Sequence, residues 1–79
     1  MTKEDVSKIA DLNTTTKNRT IITLNNTEKL IGYFINNDLD YNLRNKNIWN
    51  FNLIKTKEYD EKLMTINGDD IHSIEITII

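Results

Sequence analysis

Thirteen of the 79 residues are isoleucine and only one is alanine, so the apolar material of this chain is mostly β-branched. Two heavy atoms on Cβ stiffen χ1 and suit a pleated, half-buried surface better than a helix. The chain has no cysteine, which removes disulfide scaffolds, thiolate metal sites and cysteine nucleophiles from consideration. A domain this small buries only roughly 60% of the surface its unfolded chain exposes, so association with further copies is a reasonable expectation.

The order of segments predicts a single domain, residues 1–79, that is mainly β. Thr2 followed by Glu4 and Asp5 reads as a helix start, because a hydroxyl caps free amides and carboxylates complement the positive end of the dipole. Val6, Ile9 and Ala10 give one apolar stripe, which predicts a short helix over 1–13. Thr14 to Thr16 favours an extended linker over 14–18, leaving 19–79 for the strands.

Arg19 to Leu24 and Leu30 to Ile35 alternate as two strands, joined by the turn Asn25-Asn26-Thr27-Glu28. Leu30, Gly32 and Phe34 share one face of the second strand. A glycine inside a strand weakens it and usually marks a bend or a close backbone approach. Asn36 to Asn42 is polar and turn-rich. Ile48 to Leu53 forms the third strand, with Trp49, Phe51 and Leu53 on its inward side. The charged run Lys55 to Lys62 reads as a solvated loop or strand extension. Leu63 to Ile66 is a short fourth strand, Asn67-Gly68-Asp69-Asp70 a strong turn signal, and Ile71 to Ile79 the last strand. An N-terminal helix followed by five short strands suggests a strongly bent, partly open or closed barrel of the SH3-like or OB-like kind. A long apolar last strand at an edge invites pairing with another subunit.

Several function classes lose support at once. The formal net charge is −2, without the Lys and Arg excess that usually marks a nucleic-acid binder. Lys3, Lys8, Lys17 and Arg19 before the first strand, with Arg44 and Lys46 further on, permit only a weak basic surface on the helix side. No apolar stretch is long enough for a membrane span and no signal-peptide pattern is present, so a cytoplasmic location is the default expectation. His72 is the single histidine and reads as a strand surface residue; Asp69 and Asp70 fit a turn better than a cation site. No metal and no cofactor are expected. No nucleophile–base–acid set or phosphate-binding glycine loop occurs, so the chain is not expected to be an enzyme.

The spacing of Ile22-x-Leu24, Leu30-x-Gly32-x-Phe34, Asp38 and Asn42 resembles the first motif of the Sm and Sm-like family. About 23 residues further on, Ile66-Asn67-Gly68-Asp69-Asp70-Ile71-His72-Ser73-Ile74 resembles its second motif. Both of the chain's glycines fall at motif positions. The resemblance implies a homo-oligomeric ring in which the fourth strand of one subunit pairs with the fifth of the next. It also implies a site for short single-stranded RNA at the pore, carried here by Asp38, Asp40, Asn42, Asn67 and Gly68. Gly32, Trp49 and Phe51 would be structural. Two positions depart from the family pattern. Asp40 stands where a stacking aromatic belongs, and Asn67 where an arginine belongs, which makes the RNA site degenerate. The alternative is a protein-interaction or assembly module on an SH3-like barrel with no RNA role.

Overall fold

The computed structural model describes residues 1–35, 41–54 and 61–77. Helix α1 (Lys3–Thr16) precedes strands β1 (Thr20–Leu24) and β2 (Lys29–Phe34), a short helix α2 (Tyr41–Asn45), and strands β3 (Ile48–Ile54), β4 (Glu61–Asn67) and β5 (Ile71–Ile76). A 3-10 turn, Gly68–Asp70, joins β4 to β5. The five strands form one sheet in the order β4-β3-β2-β1-β5, every neighbouring pair antiparallel. β4 and β5 are its two edges and do not pair with each other, so the sheet is open.

The helix start is as the sequence reads: Thr2 Oγ1 accepts the Asp5 N–H at 3.3 Å. Its end is not. The threonines expected to form an extended linker over 14–18 instead complete the helix, which closes at Lys17 in the left-handed conformation (φ 55°) with its N–H on Asn13 O. The hydroxyls of Thr14 and Thr15 donate to Asp11 O at 3.0 and 3.1 Å, and that of Thr16 to Leu12 O at 3.3 Å. Polar β-branched side chains can thus fold back onto carbonyls of the preceding turn, which keeps their hydroxyls paired within the helix.

An isolated helix of this length is marginal in water, and docking holds it. Val6 and Ala10 enter the core with Ile22, Leu30, Phe34, Trp49, Phe51, Ile66 and Ile71. Phe34 meets the Trp49 and Phe51 rings edge-on, with centroids 6.5 and 5.3 Å apart, the favourable arrangement of ring quadrupoles. Trp49 and Phe51 are therefore core residues, as the alternation of β3 implies.

Asn13 is the polar member of the docked face and is fully buried. β1 begins at Thr20 opposite Gly32, while β2 runs on to Phe34. Phe34 would otherwise bury an unpaired N–H. Asn13 Oδ1 accepts that N–H at 2.7 Å, and Asn13 Nδ2 donates to Asn18 O at 2.7 Å. Continuing the β1–β2 register would set Asn18 opposite Phe34, so the carboxamide stands between the two strands as a surrogate peptide.

Gly32 answers a close approach. A methyl group there would lie 1.9 Å from the Asn52 carbonyl oxygen and 2.9 Å from the Phe51 ring. The β1–β2 turn falls where the sequence places it, with Glu28 N–H on Asn26 Oδ1 at 3.0 Å, but it holds Thr27 at φ 71°. A β-branched residue is disfavoured in the left-handed region.

Other boundaries differ from expectation as well: the last strand ends at Ile76, before the described Thr77. β4 starts at Glu61 inside the charged run, two residues before the expected Leu63, and Asn42 lies in α2 where a turn was expected. Five residues with little apolar periodicity give no helix signal. Residues 36–40 of the expected turn, residues 55–60 of the charged run, and Ile78 and Ile79 of the expected last strand lie outside the described residues.

Asn13→Ala is expected to lower the unfolding free energy by about 1–3 kcal/mol, because it leaves the buried Phe34 N–H without an acceptor; urea denaturation checks this. Thr27→Asn is expected to raise stability by about 0.5–1 kcal/mol, since asparagine tolerates the left-handed conformation. The same measurement would show no gain if the turn is unstrained.

Candidate nucleic-acid interface

The β4–β5 turn holds Asn67-Gly68-Asp69-Asp70, and its geometry follows from local side-chain capping. Asn67 is exposed, and its Oδ1 accepts the Asp69 N–H at 3.0 Å, ordering the 3-10 turn. Asn25, from the β1–β2 turn, binds the far side: its N–H donates to Asp70 O at 2.9 Å and its Nδ2 to Asp69 O at 3.0 Å. Asp69 and Asp70 are both exposed, so the turn presents carboxylates to solvent.

Gly68 is buried beneath Asn47. A Cβ at Gly68 would sit 2.1 Å from Asn47 Oδ1, so the glycine is required by the asparagine that covers it. Asn47 itself has φ 60°, a conformation that asparagine tolerates better than most residues. Its N–H donates to Arg44 O, which closes α2, and its carbonyl accepts the Gly68 N–H at 2.7 Å. Its carboxamide is spent as well. Trp49 Nε1 donates to Asn47 Oδ1 at 2.8 Å, while Asn47 Nδ2 donates to Met1 O at 2.9 Å and to Asp69 Oδ1 at 3.3 Å. The Met1 ammonium donates to Gly68 O and Ile71 O at 2.9 and 3.0 Å. One asparagine thus ties four segments together.

Of the residues singled out from the sequence, Asn67 and Gly68 share this turn. Asn42 is exposed on α2, whereas the asparagine that meets Gly68 is Asn47. Asp38 and Asp40 lie outside the described residues. Asn47 was legible only as one more asparagine among twelve. The usable signal was its place immediately before a strand, where a residue tolerant of positive φ ends the preceding turn.

A second feature lies between the helices. The Arg44 guanidinium donates to Asp11 Oδ1 at 2.6 Å and to Ser7 Oγ at 3.2 Å, and its Cζ lies 5.0 Å from the centre of the Trp49 ring. The ion pair is partly exposed, with Asp11 58% accessible, so it contributes about 1 kcal/mol or less. The cation over the ring is worth a similar amount. Lys3, Lys8, Arg44 and Trp49 line an open groove of about 430 Å³ here, with Glu4 and Asp11 interleaved. The mixed signs give no anionic-ligand focus.

Among the described residues, no group of three or more His, Cys, Asp or Glu side chains is placed to hold a metal ion. Among the same residues, no helix is long and apolar enough to cross a membrane. Comparisons with family models, curated proteins and solved structures give no match.

Asn47→Gly keeps the backbone conformation and loses the carboxamide, whereas Asn47→Ala loses both. Urea denaturation is expected to show a loss above about 2 kcal/mol for Asn47→Gly and roughly 1 kcal/mol more for Asn47→Ala. Equal losses would mean that the positive φ costs nothing.

Proposed function

We propose that this chain is a non-enzymatic, Sm-like module on a bent SH3-like barrel, which assembles with copies of itself and carries a degenerate single-stranded RNA site. The supporting observation is the strand order β4-β3-β2-β1-β5, which leaves the fourth and fifth strands as the free edges. Each edge presents a row of backbone donors and acceptors over six or seven residues, enough for a stable strand-to-strand joint. The helix followed by five antiparallel strands, with both glycines at motif positions, accords with the same reading.

The degenerate character of the RNA site rests on the chemistry of the β4–β5 turn. Single-strand recognition relies on stacking planes and on cations that face phosphate. Here the Asn67 oxygen is engaged by its own turn, and Asp69 beside it is anionic. Carboxylates at this place repel phosphate and oppose tight binding. Self-assembly is therefore the primary activity and RNA affinity is secondary.

Light scattering is expected to show a mass several times that of the chain at micromolar concentration; a monomer throughout the high micromolar range overturns the assembly reading. Fluorescence anisotropy with oligo-U and oligo-A is expected to give weak binding that falls with salt. Asn67→Arg combined with Asp40→Tyr is expected to raise that affinity about tenfold, the worth of one stacked base and one added cation. Unchanged affinity would move any RNA site away from this turn.

A further inference from the structure

The hydrogen-bond alternation along the two edges restricts how they can meet. Gly68 N–H donates to Asn47 O, and the β3–β4 register runs from Ile48 opposite Asn67 to Ile54 opposite Glu61. In an antiparallel ladder, inward-bonded and outward-pointing residues alternate. Ile66, Met64 and Lys62 therefore bond to β3, and the backbone groups of Leu63 and Thr65 point to the free edge. On the other side, Thr77 N–H donates to Arg19 O. Stepping along Thr20 opposite Ile76, Ile21 opposite Glu75 and Ile22 opposite Ile74 leaves Ile74 and Ile76 pointing outward.

An antiparallel joint must set outward-pointing residues of one strand against those of the other. Leu63 can then face Ile74 or Ile76 of the partner subunit. The first register places Lys62 directly opposite Glu75 of the partner subunit, in the position without backbone bonds where side chains come closest. The second places Met64 against Glu75 of the partner subunit, and Lys62 against Thr77 of the partner subunit, leaving both charges unmatched. Lys62 and Glu75 are both exposed in the single chain, free to pair across the joint.

Side-chain direction adds an independent argument. Leu63 is 62% exposed, one of two large apolar side chains so placed among the described residues. It points away from its own core, because Met64 and Ile66 on either side of Thr65 pack inward. Ile74 packs against the core of its own chain and is only half-buried at the open edge. Residues opposite one another in a ladder project to the same face, so the joint lays Leu63 beside the neighbour's half-covered Ile74 and removes both from water.

Resting on the assembly reading above, we infer that copies of this chain join β4 to β5 antiparallel, in the register that opposes Lys62 with Glu75 of the partner subunit and Leu63 with Ile74 of the partner subunit. The joint combines a backbone ladder, one ion pair and one apolar contact per interface. Because each chain has both edges, the contact is heterologous and propagates to a ring if the rotation closes.

The absence of cysteine makes engineered thiols unambiguous. Lys62→Cys/Glu75→Cys is expected to oxidise to a ladder of disulfide-linked multimers on a non-reducing gel, since facing residues at this position lie within disulfide reach. Lys62→Cys/Thr77→Cys is expected to give little cross-linking. Light scattering on Lys62→Glu and Glu75→Lys is expected to show three- to fivefold weaker association per interface, restored in the double reversal. All positions changed are exposed, and circular dichroism verifies that each variant folds. Wild-type assembly with efficient cross-linking of the Thr77 pair, or with no response to charge reversal, overturns the register and leaves assembly standing. A wild-type chain that stays monomeric overturns both.

Discussion

A buried backbone amide must find an acceptor, and in this fold that requirement falls on β2, which outruns β1 by two residues. The Asn13 carboxamide supplies the missing rung and in doing so fixes where α1 ends and how it lies on the sheet. Peptide-like geometry explains the choice: only a side-chain amide offers a donor and an acceptor at the spacing of a strand. With α1 fixed, Val6 and Ala10 reach the core, and Ser7 and Asp11 come within reach of Arg44. Helix docking, α2 and the cover over Trp49 all follow from that one amide.

The same economy recurs at the other end of the molecule. Asn47 performs for the β4–β5 turn what Asn13 performs for β2: it carries donors and acceptors to places where the strands leave them unpaired. Among the described residues no buried side-chain polar atom lacks a partner. A chain with a small, isoleucine-rich core thus gains specificity from two satisfied amides rather than from additional apolar volume.

The strands and their inward faces were legible because alternation is a direct consequence of the pleat: Leu30, Gly32 and Phe34, then Trp49, Phe51 and Leu53, sit on the face that the sequence assigns them. The helix cap at Thr2 and the Asn67–Asp70 turn were legible for the same local reason. What could not be read depends on contacts distant in the chain. Thr14 to Thr16 are helical because α1 docks and their hydroxyls bond backward, against their propensity. α2 has too few residues to show a period, and twelve asparagines conceal the two that matter. Of the candidate site, the Asn67–Asp70 turn was legible as a turn, whereas Asn47, which covers Gly68, was not singled out. Its role depends on α2, β3, the N-terminus and the β4–β5 turn meeting at one place, which no local pattern shows.

The bond from the Gly68 N–H to Asn47 O also bears on chemical ageing. An asparagine followed by glycine is the most fragile dipeptide of an ordinary chain, because the unhindered glycine nitrogen attacks the side-chain carbonyl, closes a five-membered imide and expels ammonia. In the folded molecule that nitrogen is donating into a 2.7 Å hydrogen bond, and the Asn67 carbonyl is turned toward the Asp69 N–H. Nucleophile and electrophile are both engaged by the bonds that shape the turn, so the rate at which Asn67 loses its amide becomes a clock for how often this corner of the sheet opens.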